Sequence, residues 1–233
     1  MRYDLLTVIR QRSYDSWEVD EMIAEDMMWQ QLAVRHTAEV SCKLREARIA
    51  VAGLGGLGSQ VAIMLARCGV GTLHLIDCDV VEASNLNRQA YRMCHLGRRK
   101  VDALAEELRT IQPYCRVLTT HVRMDEKNAV DVLRDDALIV EAFDDATAKA
   151  MLVNTVLSQT KDKVVIAASG MVGYGDSNDI RTERVNRRLY ICGDRRSDLA
   201  DGLALMAPRV MICAGHQANL AVRLILGEEQ EDE

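Results

Sequence analysis

No stretch of this 233-residue sequence approaches 18 uncharged apolar residues, so no membrane-spanning helix is expected. The N-terminus, Met1-Arg-Tyr-Asp-Leu-Leu, has acidic residues close by and no apolar signal-peptide core. Those two absences predict a cytoplasmic protein without a membrane partner. Seven cysteines are present, Cys42, Cys68, Cys78, Cys94, Cys115, Cys192 and Cys213, but no two stand in C-x-x-C spacing. That excludes the usual zinc ribbon and gives no disulfide framework. In a cytosolic chain they are expected to be reduced and mostly buried as small apolar residues. An excess of positive charge is lacking too: 29 Lys and Arg face 35 Asp and Glu, a net charge of -6, so no nucleic-acid partner is predicted. No internal repeat is visible.

What is present reads as one sizeable domain, or one domain with a small extension. The 48% hydrophobic content is ordinary for a globular core. Residues 1–40 form an N-terminal helical arm in this reading, with Val19, Met22, Ile23 and Met27 on one face and Glu18, Glu21 and Glu25 elsewhere. From Arg48 the period changes. Apolar runs at 48–52, 73–77, 115–118, 137–142 and 163–168 read as strands, several nearly unbroken, as in Lys163-Val-Val-Ile-Ala-Ala168. Unbroken runs suit strands covered on both faces. Between them lie helical patterns, such as Val101, Leu104, Ala105, Leu108 and Ile111, stopped at Pro113. This alternation predicts an α/β fold with a doubly wound, largely parallel, Rossmann-like sheet. After Ser169 the alternation stops. Gly170, Gly173 and Gly175 punctuate a turn, Arg188 to Cys192 reads as another strand, and Gly193 to Met206 as a polar, mobile loop. Pro208 opens a last helix. The organisation is then an arm over 1–40, a nucleotide-binding domain over 41–227 and an acidic tail over 228–233.

The chemistry starts at Gly53-Leu-Gly55-Gly56-Leu-Gly58, between the apolar run Ile49 to Ala52 and a helical stretch from Ser59. A strand, a tight glycine turn and a helix N-terminus let bare N–H groups approach a phosphate. Asp77 lies 24 positions after Gly53, at the end of the second strand, where a carboxylate accepts a ribose hydroxyl; the alternative is that it caps the next turn. To this point NAD and ATP are served equally. Asn85, Arg88 and Lys100 then add an amide and two cations, which suit a triphosphate better than hydride transfer. The competing reading makes Arg88 and Lys100 part of a solvated face with Arg92, Arg98 and Arg99. Glu141-Ala-Phe-Asp144-Asp145 ends a mid-sheet strand, where a carboxylate can hold Mg²⁺ against phosphate oxygens. Either aspartate could instead cap the helix from Ala146 to Leu157, and Asp145, directly before it, suits that role.

In this order the glycine turn, Asp77-Cys-Asp79, Ser84-Asn-Leu-Asn-Arg-Gln89, the lysine and the strand-end aspartate resemble the ThiF/MoeB/HesA superfamily, adenylating enzymes related to ubiquitin-activating enzymes. Glu141-Ala-Phe-Asp-Asp, Ala168-Ser-Gly-Met, Leu205-Met-Ala-Pro-Arg-Val and His216-Gln-Ala-Asn219 look most like the short ThiF-type sulfur-carrier adenylyltransferases. The resemblance implies ATP, Mg²⁺ and a small ubiquitin-like sulfur carrier. The carrier's C-terminal glycine carboxylate attacks the α-phosphate, pyrophosphate leaves, and an acyl-adenylate remains for sulfur transfer, in thiamine biosynthesis. It implies that Gly53, Gly55, Gly56 and Gly58 form the phosphate turn, with Asp77 and Asp79 at the ribose side. Asn85 and Arg88 meet the phosphates, Lys100 the triphosphate, and Asp144, with Asp145 beside it, the metal. Zinc-bearing relatives carry two C-x-x-C pairs; here Cys192-Gly-Asp-Arg195 and Cys213 are all that remains, so no structural zinc is expected. Relatives that link covalently to the carrier use a cysteine in the loop before the last helix, and Gly193 to Pro208 contains none. The family is homodimeric and borrows an N-terminal arginine from its partner subunit. Arg35 is the substitute here, with Arg10 and Arg12 as rivals and a solvated helix arginine as the alternative. Three other functions compete: a dehydratase acting on a modified tRNA base, disfavoured by the acidic balance; an NAD-dependent oxidoreductase, which leaves Arg88, Lys100 and Asp144 unexplained; and a non-catalytic member that only docks a ubiquitin-like fold.

Overall fold

The computed structural model describes residues 24–228. The readings on Arg10, Arg12, Val19, Met22, Ile23 and the tail beyond 228 lie outside those residues. Strand β1 (Arg48–Ala52) is flanked by β2 (Thr72–Asp77) and then β3 (Arg116–His121) on one side. On its other side follow β4 (Leu138–Glu141), β5 (Val164–Ala168), β7 (Leu189–Gly193) and β6 (Arg181–Asn186), giving the order β3-β2-β1-β4-β5-β7-β6. All neighbours run parallel except the β6–β7 pair.

Successive side chains of a strand point to opposite faces, and both faces here are covered. From β1, Ile49 and Val51 enter one core with Leu65, Leu73, Leu104 and Leu220. Ala50 and Ala52 enter the other with Ile76, Ile139, Leu152 and Val156. The first core is roofed by α3 (Gly56–Arg67), α4 (Lys100–Ile111) and α7 (Ala207–Leu226); the second by α5 (Ala129–Val132) and α6 (Ala146–Gln159). Each fully buried leucine among them contributes about 2–3 kcal/mol of transfer free energy. This sandwich of helices on a mostly parallel sheet is the Rossmann-like α/β fold that the alternation predicts.

Some details differ from the reading. Strand β6 was not anticipated: all six of its residues are exposed, so it has no apolar pattern, and it pairs with β7 only, at the sheet edge. The arm is two helices, α1 (Glu25–His36) and α2 (Ala38–Glu46), and position 40/41 falls within the second. α1 rests on buried Trp29, whose indole donates to Glu25 at 3.0 Å and lies 4.9 Å beneath the Arg45 guanidinium. The cysteines are all free thiols, but only Cys115, Cys192 and Cys213 are buried, while Cys42 and Cys94 are exposed. The expectation that most of them lie in the core is therefore not met. Among the described residues no helix is long and apolar enough to cross a membrane.

Candidate active site

The chain moves outward from β1 to β2 and β3, then returns to the other side of β1 for β4. Ligands of such sheets lie in the crevice beyond the strand C-termini at this reversal. A cavity of about 380 Å³ opens there. Gly53, Gly55, Gly56, Asp77, Asp79, Arg88, Lys100, Asp144 and Asp145 line it together. Three residues singled out in the sequence do not: Gly58, Asn85 and Arg35. Gly58 is packed against the glycine turn, Asn85 lies under the Arg88 loop, and Arg35 is exposed on α1.

The turn is built from the strand outward. Gly53 has φ +91 and donates its N–H to Ile76 O at 2.9 Å. Leu54 N–H donates to Asp77 Oδ2 at 2.6 Å, and Tyr91 Oη donates to Leu54 O at 2.8 Å. α3 starts at Gly56 without any side-chain cap, so its N-terminal N–H groups and the positive end of its dipole are open to an anion. Asp77 also accepts the Asp79 N–H at 2.8 Å through Oδ1. It therefore does cap the next turn, and it holds the glycine turn as well. Each oxygen keeps a further lone pair, so these bonds leave room for a hydroxyl donor.

Two cations enter from the segment after β2. Lys100, first residue of α4, is buried and donates through Nζ to Asp79 Oδ2 at 2.9 Å. Burial acts to raise the Asp79 carboxyl, but the hydrogen bond and charge of Lys100 outweigh it and hold its pKa below the usual value. Arg88 packs beside Gly56 and donates only to Ser84 O and Asn87 Oδ1, at 3.2 and 2.9 Å, so no carboxylate neutralises it among the described residues. Its loop is fixed by Asn85, whose Oδ1 accepts Glu82 N–H at 3.0 Å. The solvated-face alternative thus fails for Lys100, while Arg98 pairs with Glu106 at the surface.

At the end of β4 the two aspartates part company. Asp145 Oδ1 accepts Ala148 N–H at 2.7 Å and is the N-cap of α6. Asp144 is exposed on the cavity rim, without a hydrogen-bond partner among the described residues. Glu141 behind them is fully buried. Its carboxylate takes both a 2.7 Å bond from Phe143 N–H and two bonds, 3.0 and 3.1 Å, from Lys149 Nζ. Burial pushes its pKa up, against the opposing pull of Lys149.

Several lining residues were not picked out as site residues in the sequence. Cys78 lies between the two aspartates, its thiol pushed up by burial and by the Asp79 and Asp77 charges. Gln89 is buried with its Oε1 unpartnered. Val122, Arg123 and Met124 close the β3 end, and Met171, Val172, Leu205 and Val210 form an apolar wall beyond β5. No periodicity marks the loop positions among them, which lie far apart in the chain, while Val210 is in the first turn of α7. Cys192 and Cys213 are buried away from the cavity, with thiols pushed up by burial to about 11 and about 12.

The sequence profile of the ThiF family matches residues 27–233. The chain belongs to the ThiF family. Among curated relatives, the "adenylyltransferase and sulfurtransferase uba4" of Emericella nidulans is 36% identical over 127 residues, covering 54% of this chain and 26% of the relative. The "adenylyltransferase and sulfurtransferase MOCS3-1" of Zea mays is 36% identical over 132 residues, covering 56% and 28%. The chain thus spans about a quarter of the length of these relatives. Among solved structures, the Escherichia coli tRNA N6-threonylcarbamoyladenosine dehydratase TcdA in complex with ATP superposes with a TM-score of 0.79 at 20% identity, covering 91% of this chain and 100% of that one. E. coli MccB with ATP gives 0.63 at 22% identity, covering 80% and 57%. At these identities the likeness is one of fold, and it places this family member among Rossmann-like α/β proteins.

Proposed function

We propose that this protein is an ATP-dependent adenylyltransferase acting on the C-terminal glycine of a small ubiquitin-like sulfur carrier. The observation that carries the reading is the gathering around one cavity of the open α3 N-terminus, Arg88, Lys100 and Asp144, which has no hydrogen-bond partner among the described residues. A dinucleotide site needs the glycine turn and Asp77 but not the other three. The ATP phosphates would run along the turn toward Arg88 and Lys100, with the ribose at Asp77 and Asp79. One carboxylate oxygen of the carrier attacks the α-phosphorus. The bond to the β-phosphate oxygen breaks, and pyrophosphate leaves with the electron pair. Charge accumulating on those oxygens is what preorganised cations stabilise most. Asp144 offers unengaged carboxylate oxygens at the rim, the donor type a hard cation takes. Bound Mg²⁺ would shield phosphate charge.

The curated relatives are named adenylyltransferases and sulfurtransferases, which supports carrier activation as the class of reaction. Thiamine biosynthesis, a cytoplasmic setting and a homodimer in which Arg35 reaches the partner's site are our finer proposals, from the ThiF-type motifs. A second reading is a tRNA-modifying dehydratase, favoured by the match to the whole length of TcdA. The net charge of -6 disfavours it. The deciding experiment is ATP–pyrophosphate exchange against a panel of carriers ending in Gly-Gly, beside ATP turnover with total tRNA. Exchange dependent on a Gly-Gly carrier is the expected result; turnover with tRNA alone selects the second reading.

A further inference from the structure

The apolar wall of the cavity is made by two separate loops and the start of a helix. Met171 and Val172 come from the segment after β5, Leu205 from the segment joining β7 to α7, and Val210 from the first turn of α7. At their junction sits an ion pair in which each side chain is 5% exposed: Arg209 Nη2 donates to Asp194 Oδ2 at 2.5 Å. Arg209 Nη1 donates to Asp176 O at 2.6 Å. The other oxygen of Asp194, Oδ1, accepts the N–H groups of Arg196 and Ser197, both at 2.8 Å, and Ser197 Oγ accepts Val172 N–H at 3.1 Å. The Asp194 N–H donates to Gly170 O at 2.8 Å. Gly170 has φ +78, and a Cβ there would stand 2.0 Å from Asp194 Oδ1, so the pair is fitted closely into the loop behind the wall.

A buried ion pair contributes little net stability compared with apolar residues of the same volume, because desolvation offsets the attraction. Arg209 also keeps a buried Nε without a partner among the described residues. Such a pair is better explained by the arrangement it fixes. The nucleotide half of the cavity is braced by another set, Tyr91 and Asp77 on the glycine turn and Lys100 on Asp79.

We infer that Arg209 and Asp194 are positioning residues for the acyl substrate. They clamp two loops against the first turn of α7 into a wall, formed by Met171, Val172 and Leu205, that receives the extended C-terminal residues of the carrier next to the phosphate turn. The identity of the occupant rests on the adenylyltransferase reading; the clamping does not.

The test compares wild type with Arg209→Met, Arg209→Lys and the near-isosteric Asp194→Asn, which keeps an acceptor for both loop N–H groups. Calorimetry measures Mg·ATP affinity, pyrophosphate exchange measures KM for the Gly-Gly carrier most active with wild type, and amide hydrogen exchange follows residues 170–173 and 194–206 in the protein alone. A slight misplacement of a substrate wall costs roughly 10- to 100-fold, expected here in carrier KM for Arg209→Met and Asp194→Asn, with Arg209→Lys between them and wild type. ATP affinity should stay within about threefold, and the two loops should exchange faster while 53–58 do not. Equal losses in ATP affinity and carrier KM, or an unchanged carrier KM, would overturn the assignment. If Arg209→Met fails to fold, Asp194→Asn decides. If wild type exchanges with no Gly-Gly carrier, adenylation itself is refuted, and unchanged loop protection in the variants would refute the clamp independently.

Discussion

Asp144 and Asp145 are neighbours in sequence with separate tasks. Asp145 is committed to the α6 N-terminus, whereas Asp144 faces the cavity with its charge unused. Asp144→Ala should therefore lower carrier-dependent pyrophosphate exchange at least ~100-fold, the scale of losing one electrostatic partner of the transition state. Asp145→Ala should leave exchange nearly intact and cost about 1 kcal/mol of stability in a denaturant titration. Exchanged phenotypes would reverse the assignment. Asp194 gives a prediction in pH. Burial alone would raise its carboxyl, but the N–H groups of Ser197 and Arg196 and the Arg209 guanidinium prevail and bring it down to about 2, from 3.8. A carboxyl depressed on folding stabilises the native state above its unfolded pKa, and that contribution fades as pH falls through the folded value. The shift corresponds to about 2 kcal/mol, fully present above about pH 4 and lost on the way down to about pH 2. Denaturant unfolding of wild type and Asp194→Asn should differ by about that much at pH 6 and converge near pH 2. A gap that stays constant with pH contradicts it.

The element that ties sequence to site is the β1–turn–α3 unit. A Cβ on Gly58 would lie 1.8 Å from Gly53 O and 3.1 Å from Val51 Cγ1, so the helix can enter this close to the strand only over a bare Cα. Gly58→Ala should cost about 3 kcal/mol by overpacking and weaken ATP binding by displacing the α3 N-terminus. Gly97 is the control: at φ +78 with nothing within 4 Å of an added Cβ, its replacement by Ala should cost about 1 kcal/mol from backbone strain alone. Equal effects in thermal melts would show that strain, not close approach, sets the requirement at Gly58. Elements of this kind were legible because burial imprints them. β1, β2, β4 and β5 are apolar runs, and α4 shows its 3.6-residue stripe up to Pro113. β6 was not, since neither face is buried, and four-residue α5 is too short to show a period. In the site, Asp145 could be read as a cap from its place before the helix. The second bond of Asp77 to Leu54, the Glu141–Lys149 pair and the Arg209–Asp194 clamp could not, because each depends on how the segments after the strands fold back against the sheet.

Across the whole molecule the cavity is polarised. Its β1–β2 side carries the open helix N-terminus, Arg88, Lys100 and paired aspartates, while the far wall is apolar. The placing of Arg88 and Lys100 beside the open helix N-terminus suits a polyanion with an uncharged neighbour, as a triphosphate beside a peptide tail would be. NAD, with its diphosphate and second nucleoside, uses the turn but leaves Arg88 and Lys100 without phosphate partners. Ligand-induced stabilisation separates the two. Mg·ATP at roughly a hundredfold its Kd adds about 2.7 kcal/mol to the folded state. For a chain of this size that is a rise of about 5–10 °C in Tm. NAD at the same concentration should raise Tm by less than about 1 °C. Arg88→Ala should shrink the ATP response, because it removes a cation beside the glycine turn that has no carboxylate of its own among the described residues. A larger shift with NAD than with Mg·ATP, insensitive to Arg88→Ala, would assign the cavity to a dinucleotide and remove the physical basis for carrier adenylation.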